Sequence, residues 1–179
     1  MNVAQVPRQL LVSEGAASGA AAEPGAAPAP GGRAQIYLHA GQLAVAAEPT
    51  AITTILGSCV AVCLFDPVNR VGGVNHYLLP HHVERERSAR FGNVAIPQLV
   101  ERVIAAGGRR AALQAKVFGG ASVIGAFRGS RNLGEENAVL AERILGEAGI
   151  PILDRDVGGT RGRKLIFHVD DGSAWVRQL

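Results

Sequence analysis

The residues best suited to chemistry lie in two short stretches. Cys59 directly follows Gly57 and Ser58 and opens the apolar run 60–65. A thiol in that position stands at a turn where a buried strand begins. Gly57 permits a tight backbone and a close approach by substrate. Successive backbone N–H groups at such a turn can point at a developing oxyanion. The second stretch is GGVNHYLLP, residues 72–80, which carries His76. If 60–65 and 71–79 form a hairpin, the far end of the second strand returns beside the start of the first and brings His76 towards Cys59. A thiolate–imidazolium pair turns a weak thiol into a nucleophile near neutral pH, and the histidine can later protonate a leaving group. A hydroxyl on the other ring nitrogen would fix the tautomer. Thr53 and Thr54, on the preceding strand, are available for that.

The pattern alone leaves a plainer reading open, with Cys59 packed at a strand end and His76 a satisfied core histidine. Cys63, four residues on and inside the apolar run, is expected to be a small buried hydrophobe. Phe118-Gly119-Gly120-Ala121 and Arg128-Gly129-Ser130-Arg131 lack the spacing of a phosphate-binding loop or a dinucleotide fingerprint. Cys59, Cys63, His76, His81 and His82 match no standard zinc spacing. Arg85, Arg87, Arg90, Arg109 and Arg110 read as a solvated face.

The elements that must position these residues follow from periodicity. Segments 35–38 and 42–45 read as short strands around a turn at Gly41. Residues 52–56 are β-rich, and the near-unbroken apolar run 60–65 suits a strand buried on both faces. Asp66-Pro67 and Asn69 mark a turn, and 71–79 completes the hairpin before Pro80. Residues 81–90, with alternating Arg and Glu, read as an exposed loop. Apolar residues at 94, 96, 99, 100, 103 and 104 make a helical stripe over 93–106, stopped by Gly107-Gly108. A strand over 113–118 leads into Gly119-Gly120. A second amphipathic helix covers 133–148 and ends at Gly149 and Pro151. Segments 152–157, 164–169 and 174–177 close the domain. The order predicts an α/β domain of the α+β layered kind, mixed β-sheets packed with two main helices.

Composition sets the bounds. The 179 residues are 47% hydrophobic and 18% charged, enough for a sizeable core. The net charge of +3 is too small to argue for nucleic acid. No apolar run reaches the length of a membrane span. Residues 1–12 lack the pattern of a secretory signal, and two cysteines make no disulfide framework. The expectation is a cytoplasmic protein. Sixteen of the 20 residues 14–33 are Ala, Gly or Pro. Such a segment cannot bury enough surface to offset its ordering entropy. Residues 1–34 are therefore expected to be a disordered low-complexity tail, and 35–179 a single domain.

Five longer stretches carry a resemblance. LGSCVAVCLFDP at 56–67, GGVNHYLLP at 72–80, KVFGGA at 116–121, LGEENAVLAERILGEAGIPI at 133–152 and DVGGTRGRKLIFH at 156–168 together resemble the CheD family of chemoreceptor glutamine deamidases. The resemblance covers about residues 35–177 and omits the tail. It implies a fold related to toxin-type Cys-His deamidases and a Cys-His-Thr catalytic set. The family's nucleophile falls on Cys59, its histidine on His76, and its threonine, six residues before the cysteine, on Thr53.

The activity so implied is hydrolysis of specific glutamine side chains in methyl-accepting chemotaxis receptors, giving glutamate and ammonia through a cysteine thioester. Some members are also credited with receptor methylester hydrolysis. No metal or organic cofactor is implied. The implied partners are receptor cytoplasmic domains and, in some bacteria, the phosphatase CheC; nucleic acid and membrane insertion are not. The competing readings are a non-catalytic adaptor that binds receptors or CheC, which would not need the Cys59, His76 and Thr53 set, and a cysteine protease, which would cut receptor chains.

Overall fold

A computed structural model describes residues 11–13, 32–81, 88–122 and 132–179. Among these lie ten strands and two α-helices. In chain order the strands are β1 (Leu11–Ser13), β2 (Ala34–Tyr37), β3 (Leu43–Ala46), β4 (Thr50–Leu56), β5 (Val60–Asp66), β6 (Val71–Asn75), β7 (Gln114–Gly119), β8 (Ile152–Val157), β9 (Arg163–His168) and β10 (Ala174–Gln178). The helices are α1 (Gly92–Ala105), between β6 and β7, and α2 (Leu133–Glu147), between β7 and β8. A six-stranded sheet runs β1-β3-β6-β5-β7-β8, and a four-stranded sheet runs β10-β9-β4-β2. The mixed-sheet α+β layout is the one the sequence predicts.

The layering explains why 60–65 is almost wholly apolar. In a strand, successive side chains point to opposite faces. Val60, Val62 and Leu64 meet α1 and α2 in one core, with Leu99, Val103 and Leu145. Ala61 and Cys63 point the other way, into a second core between the sheets with Ile52, Leu56, Phe118, Leu165 and Phe167. With helices on one side and a second sheet on the other, β5 has no wet face, so no polar alternation survives. Cys63 is fully buried there, as expected. Burial pushes its thiol far above the ordinary range.

Asn132 caps the start of α2, its side chain accepting the Glu135 amide at 3.4 Å, and the helix carries Glu135 and Glu136 in its first turn. Both features offset the unpaired amides and positive dipole end of a helix N-terminus. It connects β7 to the parallel strand β8, the crossover that parallel pairing requires.

Several expectations change. The segments around Gly41 do not pair with each other. β2 joins the four-stranded sheet, parallel to β4, and β3 joins the six-stranded sheet, antiparallel to β6. The chain crosses between sheets at 38–42. The strand expected over 71–79 stops at Asn75, continuing only as isolated bridges at Tyr77 and Leu79. The tail expected over 1–34 falls mostly outside the described residues. Within it, Leu11–Ser13 form a strand on β3, and Arg33 bonds Asp170 at 2.6 Å. Of the loop expected over 81–90, residues 82–87 lie outside the described residues, and Ser88 and Ala89 are buried. Arg128 and Arg131 also lie outside them. Arg109 and Arg110 are exposed, as predicted.

Candidate active site

The β5–β6 hairpin brings Cys59 and His76 onto one face. Cys63 pairs with Val74, and Val60 with Tyr77 across an isolated bridge. The register is therefore continuous, with Ala61 opposite His76 and Cys59 opposite Leu78. Cys59 and His76 are diagonal neighbours on the face that looks into the core between the sheets. In antiparallel pairs that separation is about 7–8 Å, within reach of long side chains. Cys59 is half-buried. His76 is only 4% exposed, and its backbone is held by the chain crossing from β2 to β3. Its N–H donates to the Gln42 carbonyl at 2.9 Å, and its carbonyl accepts the Gly41 N–H at 2.7 Å.

The imidazole is held in one tautomer. Thr54 Oγ1 donates its single proton to the Leu38 carbonyl at 2.7 Å. At the imidazole the same oxygen, 2.8 Å from His76 Nδ1, can then only accept. Nδ1 therefore carries the ring proton, and Nε2 is the basic nitrogen. Nε2 is buried and has no hydrogen-bond partner. It stands on the face it shares with Cys59.

Thr54, not Thr53, makes this contact. On β4, Ile52, Thr54 and Leu56 face the core between the sheets, while Thr53 and Ile55 face away from it. Thr53 pairs with Tyr37 and Ile166 on its neighbouring strands, and alternation turns its hydroxyl from His76. The assignment of Thr53 as the orienting residue is corrected on that ground.

The electrostatics also revise the expected thiolate–imidazolium pair. Desolvation by burial pushes His76 down to about 4, aided by the charge of His39 and opposed by the Leu38 carbonyl. Burial raises the Cys59 thiol, opposed by its own backbone amide. At neutral pH both groups are uncharged.

The turn before Cys59 is fixed through its carbonyls. The Gly57 carbonyl accepts the Ala121 N–H at 2.8 Å, and the Cys59 carbonyl accepts the Gly120 N–H at 2.8 Å. The Ser58 carbonyl accepts Asn137 Nδ2 at 3.0 Å. A trans peptide points its N–H opposite its C=O. The Ser58 and Cys59 amides therefore face away from the groups that hold the turn. Gly119 makes this packing feasible. Its φ is +111°, and a Cβ there would run into the Cys59 carbonyl oxygen. The buried guanidinium of Arg163 holds the same strand end, donating to the carbonyls of Gly119 at 2.6 Å, Asp156 at 2.7 Å and Gly158 at 2.7 Å.

The sequence reading named Cys59 and His76, and the structure brings them to one face. It did not single out Asn137 or Arg163. The signal for Asn137 was a polar residue on the apolar stripe of α2, beside Ala138 and Ala141. Among the described residues no group of three or more His, Cys, Asp or Glu is arranged to hold a metal ion. Nor is any described helix long and apolar enough to cross a membrane.

The family profile described as CheD chemotactic sensory transduction matches residues 78–178. A protein of Anaeromyxobacter dehalogenans strain 2CP-C, named "Probable chemoreceptor glutamine deamidase CheD 1", is 78% identical over 160 residues, 89% of this chain and 94% of that protein. An alignment of that length leaves too few residues outside it to miss the stretch from Thr53 to His76. Proteins with the same name, without the number, from Sulfurimonas denitrificans and Agrobacterium fabrum are 43% and 41% identical, over 80% and 78% of this chain and 93% and 77% of theirs. The profile covers more than half of the chain, and the relatives cover its hairpin site: the chain belongs to the CheD family.

Proposed function

We propose that this protein is a chemoreceptor glutamine deamidase with Cys59 as nucleophile, His76 as general base and acid, and Thr54 as the residue that orients His76. The observation that carries the reading is the Leu38–Thr54–His76 chain of hydrogen bonds. It leaves an unpartnered basic nitrogen on the face that carries Cys59. The relatives' shared name supports the substrate class.

In the reaction, Nε2 takes the proton from Cys59 Sγ as sulfur attacks the carboxamide carbon. The Ser58 and Cys59 amides receive the charge that develops on the carboxamide oxygen. Collapse breaks the C–N bond, and the imidazolium returns its proton to the departing ammonia. Water, deprotonated at Nε2, then hydrolyses the thioester. The balance is amide plus water to carboxylic acid plus ammonia, and Cys59 is regenerated. Each event puts a carboxylate in place of a neutral amide, which changes repulsion between neighbouring receptor helices. A receptor's cytoplasmic domain as substrate supports a cytoplasmic location. The CheC partnership rests on the family resemblance alone, and co-elution with purified CheC tests it.

The test is incubation with a receptor cytoplasmic fragment from the same organism, followed by peptide mass spectrometry and ammonia measurement. The expected result is the mass gain of an amide turned into an acid at particular glutamines, with ammonia in equal amount and neither with Cys59→Ala. Tight binding without either change would establish the adaptor reading, and cut fragments would establish the protease reading.

A further inference from the structure

Asn137 is wholly buried on α2, where an apolar residue would avoid the cost of desolvating an amide. Its Nδ2 donates both protons: to the Ser58 carbonyl at 3.0 Å and to the Leu78 carbonyl at 2.9 Å. Two carbonyl partners fix the NH2 end of the amide. Oδ1 is left buried with no partner. The same residue's backbone carbonyl accepts the Tyr77 hydroxyl at 2.5 Å.

The two carbonyls belong to different arms of the hairpin. Ser58 precedes the nucleophile, and its carbonyl shares a peptide with the Cys59 amide. Leu78 lies two residues after His76, on the segment where regular pairing has stopped. One side chain thus spans the gap between the nucleophile's turn and the base's strand where only the Val60–Tyr77 bridge joins them. The orphaned Oδ1 shows that the donors, not overall satisfaction, account for an amide here.

We infer that Asn137 is a positioning residue. It sets the spacing of Cys59 from His76 and aims the Cys59 amide at the oxyanion. The catalytic part of this inference rests on the deamidase reading; the positioning part does not.

The experiment compares Asn137→Ser, which keeps at most one donor, with Tyr77→Phe, which removes a buried hydrogen bond on the same helix residue but leaves both amide bonds. Three quantities are read: the melting temperature, kcat and KM for receptor-fragment deamidation, and the rate at which iodoacetamide alkylates Cys59. Cys63 is too buried to contribute. Both variants should melt below wild type. Only Asn137→Ser should lower kcat, by about 10–100-fold for a misplacement of about 1 Å, with KM within about threefold. Only Asn137→Ser should change the alkylation rate. If Asn137→Ser does not fold, Asn137→Asp replaces it with the same expectations. A folded variant with kcat and alkylation like wild type overturns the inference. So does equal loss in Tyr77→Phe, or failure of both Asn137 variants to fold. If wild type deamidates nothing while alkylation still separates the variants, the deamidase reading fails and the positioning role stands.

Discussion

His76 is held as a neutral group, and its burial ties it to the stability of the protein. Its pKa of about 4 lies below the ordinary 6.5. Between those values the unfolded chain binds a proton that the folded protein does not. Stability from this residue is therefore full above pH 6.5 and is lost as pH falls through 4, by about 3 kcal/mol in total. Urea unfolding at pH 7 and pH 4.5 should show that loss in wild type and a flatter response in His76→Gln. Equal slopes would mean that the imidazole is not held neutral. The lowered Asp66, Asp170 and Asp171 carboxyls titrate below this window. Cys59 and His76 were legible from residue type and from the hairpin that joins them. The choice between Thr53 and Thr54 was not. It depends on which face of β4 meets the other sheet, and adjacent threonines differ only in that parity. Asn137 was hidden for a related reason, since a helical stripe shows where a core is but not which carbonyls lie beneath it.

At the scale of elements, the hairpin, both helices and the closing strands follow from apolar periodicity and from Gly and Pro stops. The partners of β2 and β3 do not, because a turn at Gly41 reads the same whether its arms pair or part. The glycine pair at the end of β7 reads in sequence as tight packing, and the structure gives it an address under the Cys59 turn. Gly119→Ala should cost about 1–3 kcal/mol in backbone strain and more where its Cβ displaces the Cys59 carbonyl, with deamidase activity lost alongside. Gly146 on α2 is the contrast, because a Cβ there meets nothing within 4 Å. Gly146→Ala should raise stability by about 0.4–1 kcal/mol, with activity unchanged. Chemical denaturation of the two variants checks both. Opposite signs are expected, and a stable, active Gly119→Ala would remove the packing argument for the Cys59 turn.

For the whole molecule, the layering makes the faces of the four-stranded sheet unequal. Phe167 is 1% exposed in the core that His76 and Thr54 border, whereas Ile55, on the opposite face, is 48% exposed. Phe167→Ala should cost about 3–5 kcal/mol, and Ile55→Ser should stay within about 0.5 kcal/mol. Equal losses in urea titrations would mean that a further layer covers the outer face. Sequence reading predicted a mixed α+β assembly. It did not predict two sheets with separate cores, because apolar alternation does not say which sheet a strand joins. Composition also hid Leu11–Ser13, a short strand beside a segment of Ala, Gly and Pro. The assembly of the two sheets brings β4 under β5 and β6, and it turns one threonine hydroxyl, not its neighbour's, to the imidazole. Deamidation of a receptor fragment by Thr54→Val and Thr53→Val tests that claim most directly. Thr54→Val should lower kcat by about 100-fold or more, as loss of the working tautomer does. Thr53→Val should stay within about twofold. Equal rates in the two variants, or the larger loss with Thr53→Val, would contradict the site described.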